Sequence, residues 1–280
     1  MPSKVMEQWL LAAPDWMLSA PDWQYDFFYN IYKCFIFDKR YLMYLTGLSN
    51  TLQLTFFALL LGTALGIVIS LVRVTWDKNG AAMRGPGRFF LGLGNALCKL
   101  YLTVIRGTPV VVQILIMFFV IFASSNNKIF VGCLAFGINS GAYAAEIIRG
   151  GIMSVDAGQM EAGRSLGFGY VATMRHIVLP QAFRTVLPSL ANEFIVLLKE
   201  TAVAGYIALP DLTYAGNIIG GTTFVYFYPL LAAGLIYLTL VIFFTRLVSL
   251  LERRLRGGGP NKKRPRAILR GPTNAPEGGR

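Results

Sequence analysis

Charge is scarce in this sequence. Asp, Glu, Lys and Arg make up 14% of the 280 residues, whereas hydrophobic residues make up 55%. A soluble domain carries about 25% charged residues, so too few charges are present to cover a water-soluble globule of this length. A disordered chain is excluded as well, because disorder requires low hydrophobicity and high net charge. The composition therefore indicates an integral membrane protein.

Residues that build metal and catalytic sites are also few. His176 is the single histidine, which excludes a multi-histidine metal site. The cysteines Cys34, Cys98 and Cys133 follow no metal-binding spacing, and one of them must stay unpaired. The sequence has no Gly-x-x-x-x-Gly-Lys-[Ser/Thr] loop to hold the phosphates of ATP. We expect no catalytic site, no bound metal and no enzyme activity.

Five stretches are long and apolar enough to cross a membrane as helices, which takes about 20 residues each. They lie at about residues 51–72, 101–123, 129–148, 185–206 and 224–247. The first contains Gly62 and Gly66, a small-xxx-small face that permits close helix packing. The sequence therefore predicts an all-α integral membrane protein with five transmembrane helices.

Basic residues predict the orientation of these spans. The net charge of +12 would suggest nucleic-acid binding in a soluble protein, but in a membrane protein it indicates basic cytoplasmic loops. Most Lys and Arg residues lie in segments 73–99, 149–184 and 246–280, which share one side of the predicted topology. The N-terminus is expected outside and the C-terminus in the cytoplasm, with no nucleic-acid partner. Residues 257–280 are expected to form a disordered basic cytoplasmic tail.

Residues 1–40 carry a short repeat and no apolar signal core. Ala13-Pro14-Asp15-Trp16 recurs as Ala20-Pro21-Asp22-Trp23. Each Pro-Asp-Trp is typical of a turn or a helix start. Amphipathic aromatic side chains of this kind suit the headgroup layer of a membrane. We expect the segment to lie on the extracytoplasmic membrane surface.

The predicted cytoplasmic loop between the third and fourth spans has a helical pattern. Asp156 is suited to N-cap a short helix, and Gln159, three residues later, is suited to complete a capping box. Gly167 is suited to end this helix in the left-handed conformation. The helix has few apolar residues for a core of its own. We therefore expect it to dock into a partner.

This loop resembles the EAA loop of ABC importer permeases. The family pattern is Glu-Ala-Ala, a glycine four residues later, and then Ile-x-Leu-Pro. This sequence has Gly163 in place of the second alanine, and the matching positions are Glu161, Ala162, Gly163, Gly167, Ile177, Leu179 and Pro180. Further segments resemble the polar amino acid branch, transporting histidine, glutamine or arginine: residues 50–55, 106–109, 139–152 and 179–184. The resemblance covers about residues 46–250.

The resemblance implies a type I ABC importer permease fold with a cytoplasmic coupling helix, in the cell membrane of a prokaryote. The chain would form half of a translocation path, and a second permease subunit, identical or similar, would complete it. A cytoplasmic ABC ATPase dimer would bind ATP-Mg and contact the EAA-like residues, so this chain would bind no cofactor. An extracytoplasmic amino acid-binding protein would deliver the substrate. A self-contained secondary transporter or channel is the alternative, although no repeat is evident across the five spans.

Ionisable residues inside predicted spans mark candidate substrate contacts. A zwitterionic amino acid needs a cation for its carboxylate and an acid for its ammonium. Lys199 with Glu193 or Glu200 would supply both, and structural pairing within the protein is the alternative role for these three. Arg106, placed near the cytoplasmic start of the second span, either contacts substrate or extends to the membrane interface.

Glu146 and Arg149 lie near the cytoplasmic end of the third predicted span. Three residues separate them, so they can pair on one helix face. We expect this pair to be structural.

Overall fold

The computed structural model describes residues 4–19 and 21–255, and within these ranges all regular secondary structure is helical. The predicted all-α class is therefore confirmed. The predicted tail at residues 257–280 lies outside the described residues.

Three short helices open the chain: α1 (Lys4–Ala12), α2 (Asp15–Leu18) and α3 (Asp22–Ile31). Pro14 is the N-cap of α2, and Pro21 is the N-cap of α3. Proline has no backbone N–H. The N-cap position tolerates this, because the N–H of that residue would make no hydrogen bond within the helix. The two copies of the Pro-Asp-Trp repeat therefore start two successive helices, as their sequence predicts.

Two long helices form the centre of the fold: α4 (Tyr41–Asn79) and α7 (Lys128–Met153). They run parallel, and glycines on α4 let their backbones approach. A Cβ at Gly62 would lie 3.0 Å from the backbone nitrogen of Gly141, and one at Gly66 would lie 2.7 Å from the Cβ of Ala144. The predicted small-residue face of the first span is therefore its contact with α7.

The predicted second span at residues 101–123 is not one helix. Helix α5 (Pro86–Gly107) begins much earlier, and α6 (Val110–Ile116) follows it and continues into a π turn. Between them Thr108 is extended, with φ −121° and ψ 145°. The residue before a proline avoids the helical conformation, and Pro109 occupies that position. The prediction missed the early start because charged side chains interrupt the apolar pattern of α5.

The remaining elements follow α7 along the chain. They are α8 (Ala157–Ser165), α9 (Tyr170–Thr173), α10 (Leu179–Glu200), α11 (Leu212–Thr223) and α12 (Phe227–Leu255), with a π turn after α9 and a 3-10 turn after α10. Asp211 N-caps α11 by accepting hydrogen bonds from the backbone N–H groups of Thr213 and Tyr214, and its Oδ2 also accepts from the Tyr237 hydroxyl at 3.2 Å. Asp211 thereby ties α11 to α12.

Four helices in the described part of the chain are long and apolar enough to cross a membrane: α4, α5, α7 and α12. The predicted fourth span, residues 185–206, corresponds to α10 and the 3-10 turn after it, where the charged Glu193, Lys199 and Glu200 reduce the apolar character. Five spans therefore stay a prediction. The predicted fifth span at 224–247 corresponds to α12, and Phe224, left-handed at φ 58°, separates α12 from α11.

Candidate coupling loop and translocation path

The N-terminus of α8 is capped by Asp156, as predicted. The Asp156 side chain accepts a hydrogen bond from the backbone N–H of Gly158 at 2.6 Å. The predicted capping box is wrong in its second half. The side chain of Gln159 instead accepts a hydrogen bond from Nε2 of Gln181 on α10 at 3.0 Å. A partner 22 residues away displaces the local one, and α8 is thereby fastened to the first turn of α10.

The C-terminus of α8 ends in a Schellman motif at Gly167. The backbone N–H of Phe168 donates to the carbonyl of Gly163 at 3.1 Å, and that of Gly167 donates to the carbonyl of Arg164 at 2.9 Å. Gly167 has φ +84°, in the left-handed region that favours glycine. The predicted left-handed end of the helix is confirmed, and it fixes the direction in which the chain leaves α8.

Gly163 is the buried residue of α8, and its lack of a side chain is required by packing. A Cβ at this position would clash with Cγ2 of Thr173, and it would lie 2.8 Å from Oγ1 of Thr173 and 3.1 Å from Cδ1 of Ile177. This sequence has glycine in place of the second alanine of the Glu-Ala-Ala pattern, and the side chain of Thr173 occupies the space that the alanine Cβ would need. Gly163 seats α8 against the segment that leads into α10.

This packing predicts the effect of restoring alanine. Gly163→Ala gains about 1 kcal/mol of helix propensity but overpacks the contact with Thr173, at a cost of about 1–3 kcal/mol. We expect faster amide hydrogen exchange in α8 of the single variant. Gly163→Ala combined with Thr173→Ala removes the clash and keeps the propensity gain, so exchange should become slower than in the parent. Equal exchange in both variants would contradict this packing role.

The outer surface of this loop is available to a partner. Glu161 and Ala162 are exposed on α8, and Leu179 and Pro180 are exposed at the start of α10, whereas Ile177 is half-buried. Sequence reasoning missed two exposed apolar side chains, Leu166 at 75% and Val171 at 74%. Exposed apolar side chains that flank a short helix are typical of a protein-docking surface.

An ion-pair network joins the ends of α4 and α7 next to this loop. Arg149 donates to Oε2 of Glu146 at 3.1 Å, which confirms the predicted pair. Arg73 of α4 donates to Oε1 of the same glutamate at 2.7 Å, and Arg149 also lies 3.5 Å from Asp77 of α4. Sequence reasoning missed Arg73 and Asp77, because no spacing along the chain indicates which residues of two separate helices meet.

Two adjacent residues of α7 form separate hydrogen bonds with α10 and with α6. The buried Glu193 of α10 accepts from Oγ of Ser140 on α7 at 3.2 Å. The neighbouring Asn139 donates to Oε1 of Gln113 at 2.9 Å, and Gln113 donates to the carbonyl of Ile105 at 2.8 Å. Ser140 therefore bonds α7 to α10, and Asn139 separately bonds α7 to α6, whose Gln113 bonds back to the last turn of α5.

The four predicted path residues do not share one cavity. Arg106 lines a cavity of about 520 Å³ with Arg73, Lys99 and Glu146. Glu193 lines another, of about 480 Å³, with neighbours that include Asn192 and Glu252. Lys199 is exposed and Glu200 is half-buried, and they line neither of these two cavities.

The sequence predicts Arg106 near the cytoplasmic start of the second span, and the structure gives its place along a helix. It lies at the C-terminal end of α5, and its Cζ is 5.4 Å from the ring centroid of Tyr143 on α7. A guanidinium over an aromatic face at this distance forms a cation–π contact. Because α5 begins at Pro86, Arg106 follows most of this helix, and its position in the membrane stays a prediction.

This architecture is that of the type I ABC importer permeases. A solved structure described as the "crystal structure of an amino acid ABC transporter with histidines" superposes with a TM-score of 0.68 at 39% identity, covering 78% of this chain and 96% of that chain. A structure of the MetNI methionine ABC transporter superposes with a TM-score of 0.62 at 16% identity, covering 76% and 96%, which is a likeness of fold.

The chain belongs to the family of binding-protein-dependent transport system inner membrane components, whose model matches residues 80–257. It is 35% identical to the arginine transport system permease protein ArtQ of Bacillus subtilis over 76% of this chain and 92% of that protein. It is 32% identical to the putative glutamine transport system permease protein GlnP of Rickettsia bellii over 78% and 95%. The chain is therefore a transport permease subunit and not an enzyme.

Proposed function

We propose that this chain is the membrane-spanning subunit of an ATP-driven importer of a polar amino acid. It forms half of the translocation path with a second permease subunit. A cytoplasmic ABC ATPase dimer binds ATP-Mg, and an extracytoplasmic amino acid-binding protein delivers the substrate. The observation that carries the proposal is α8, a short helix with an exposed outer surface. Hydrogen bonds cap it at both ends, and a further hydrogen bond joins it to α10. The named substrates of ArtQ and GlnP, arginine and glutamine, support the polar amino acid class.

Coupling to the ATPase runs through α8 and the residues after it. Movement of α8 is transmitted to α10 directly through the Gln159–Gln181 hydrogen bond, and through α9 by the packing of Gly163 against Thr173. Glu161 is exposed and free to form a charge-assisted hydrogen bond in a groove of the ATPase. The apolar Leu166 and Val171 add area to the same docking surface.

The translocation path runs beside Glu193 and Arg106. The Glu193 carboxylate binds the ammonium of a passing substrate, and Arg106, which lines a separate cavity, binds a carboxylate at another point of the path. Adjacent residues of α7 contact both surroundings: Ser140 donates to Glu193, and Asn139 donates to Gln113, which donates to the carbonyl of Ile105 next to Arg106. Lys199 and Glu200 lie further along α10, toward the predicted extracytoplasmic end, where they meet substrate before it reaches Glu193.

Uptake into reconstituted vesicles tests the proposed function. Vesicles that contain this chain, its second permease subunit and the ATPase dimer are loaded with ATP, and radiolabelled arginine, glutamine or histidine is added with the binding protein outside. We expect uptake that requires ATP, the ATPase and the binding protein together. Uptake that persists without the ATPase and follows an ion gradient would identify a secondary transporter and overturn the proposal.

The effect of Glu193→Gln on uptake tests the proposed translocation path. The amide keeps the size of the side chain and an oxygen to accept from Ser140, but it removes the charge that holds a substrate ammonium. Loss of a hydrogen bond between charged groups costs about 1.5–3 kcal/mol, so the half-saturation concentration for uptake should rise by about 10- to 150-fold. Ser140→Ala is the matched control, because it removes the neighbour and keeps the carboxylate. Equal changes in both variants would assign Glu193 a structural role.

A further inference from the structure

Five aromatic rings connect the N-terminal helices to the start of α12. Trp16 of α2 lies 5.5 Å from Phe28 of α3, and Phe28 lies 5.6 Å from Phe27. Phe27 lies 5.9 Å from Tyr228 of α12, and Tyr228 lies 5.4 Å from Phe227. We call these five rings the aromatic band. Trp16, Phe27 and Phe227 are 60%, 45% and 68% exposed, so the band is a surface and not a core.

Helix α3 divides its rings between an inner and an outer face. Tyr25 and Tyr29 face inward and contact Trp9 of α1, with ring centroids 6.3 Å and 6.1 Å from it, and Trp9 is only 4% exposed. Trp23 and Phe27 lie on the opposite face, because two residues of an α-helix correspond to a rotation of about 200°. Trp23 is 71% exposed. The inner rings therefore pack α3 against α1, whereas the exposed parts of Trp23 and Phe27 are open to a further partner.

The acids of α3 occupy a third face. Asp22 and Asp26 are exposed and lie one helical turn apart, to one side of the Trp23–Phe27 line. The exposed part of α3 therefore has an aromatic line beside an acidic line. This is the arrangement of a helix lying in a membrane interface, with rings toward the acyl chains and charges toward water.

Helix α12 sets the depth of the aromatic band. Its uncharged part runs from Phe227 to Thr245, and Arg246 follows. At 1.5 Å per residue this part is about 28 Å long, close to the thickness of about 30 Å of the hydrocarbon core. Phe227 and Tyr228 therefore lie at one edge of the core. Trp16 and Phe27, which join them through ring contacts, are placed in the headgroup layer at that edge.

The segment is fastened to the corner between α11 and α12. Nζ of Lys33 donates to the carbonyl of Thr223, the last residue of α11, at 2.8 Å. The Tyr44 hydroxyl of α4 donates to the carbonyl of Pro229 in α12 at 2.9 Å. Cys34 is fully buried in the apolar cluster of this corner. The N-terminal helices and the corner therefore move together.

We propose that helices α1 to α3 form an interfacial anchor, which holds the corner between α11 and α12 in the headgroup layer of the bilayer through the aromatic band and Trp23. The lipid surface is recognised by aromatic side chains and not by charge, since the exposed acids Asp15, Asp22 and Asp26 oppose attraction to anionic lipids. Fixing this corner keeps α12 at a constant depth while α10 moves. The anchor acts on the membrane and does not depend on the proposed substrate.

Fluorine NMR of the intact permease tests the anchor. The chain has four tryptophans, and 5-fluorotryptophan labelling reports on each of them in phosphatidylcholine nanodiscs. Trp9→Phe, Trp16→Phe, Trp23→Phe and Trp76→Phe, made singly, assign the four signals. A phosphatidylcholine with a nitroxide near the headgroup should broaden the Trp16 and Trp23 signals severalfold more than the Trp9 signal. A water-soluble gadolinium chelate should broaden Trp16 and Trp23 less than the lipid label does.

Buried Trp9 is the internal control, since it belongs to the same segment. Stronger broadening of Trp16 and Trp23 by the chelate than by the lipid label would overturn the anchor. Protection of both signals from the chelate only after the binding protein is added would also overturn it, and would identify a protein-docking face. The measurement involves no transport, so a negative result leaves the proposed function standing, and failed uptake leaves the anchor standing.

Discussion

Replacement of Gly167 by valine is expected to abolish ATP-driven uptake while the protein still inserts into the membrane. Gly167 has φ +84°, and a branched side chain is a steric outlier in that region. No atom lies within 4 Å of a Cβ built at this position, so the effect arises from backbone conformation alone. Valine would break the Schellman motif, and α8 would lose both hydrogen bonds that end it.

Two further variants separate this cause from a general effect of substitution in the loop. Gly169 lies two residues later, has extended backbone at φ −68°, and also has open space around a Cβ, so Gly169→Val should transport normally. Asparagine tolerates the left-handed conformation, so Gly167→Asn should keep most of the uptake. ATPase co-purification with each variant shows whether docking is lost. Normal uptake by Gly167→Val would show that the loop is only a connector.

The difference between Gly167 and Gly163 illustrates what the sequence can predict. The role of Gly167 depends on its own helix end, so a local pattern was sufficient to find it. The role of Gly163 depends on Thr173, ten residues later, whose side chain fills the space of the missing methyl group. Gln159 is a second example. The local pattern predicted a capping box with Asp156, but the Gln159 side chain bonds to Gln181, 22 residues later.

In the membrane-spanning helices, too, local sequence predicts some features, whereas features that depend on distant residues are missed. The apolar stretches around α4, α7 and α12 were predictable from composition, because burial in lipid requires long apolar helices. The early start of α5 was missed, since its charged residues lie on one face of an otherwise apolar helix. Ser140 was missed beside Glu193 because nothing in either segment specifies which faces of α7 and α10 meet. The candidate path was therefore predicted as isolated charges, without the neighbouring polar groups that contact them.

The network around Glu146 gives the largest expected loss of stability. Glu146 neutralises Arg73, whose side chain is 15% exposed, and Arg149, whose side chain is 28% exposed. Glu146→Leu would leave two partly buried arginines close together with only Asp77 nearby. Removing one partner of a buried ion pair costs about 3–5 kcal/mol, and the partial exposure here places the expected loss near the lower limit. The thermal unfolding temperature in detergent should fall accordingly.

A double-mutant cycle distinguishes unpaired charge from lost packing. In Glu146→Leu combined with Arg73→Leu, Arg149 keeps Asp77, no buried arginine is left unpaired, and both leucines suit the contact between α4 and α7. The double variant should therefore unfold at a higher temperature than Glu146→Leu alone, which is a non-additive result. Asp77→Asn is the control, because it affects only the longer contact of 3.5 Å and leaves the bonds of Glu146 to both arginines in place. Additive losses in the cycle would show that Arg73 and Glu146 do not stabilise the fold as a pair.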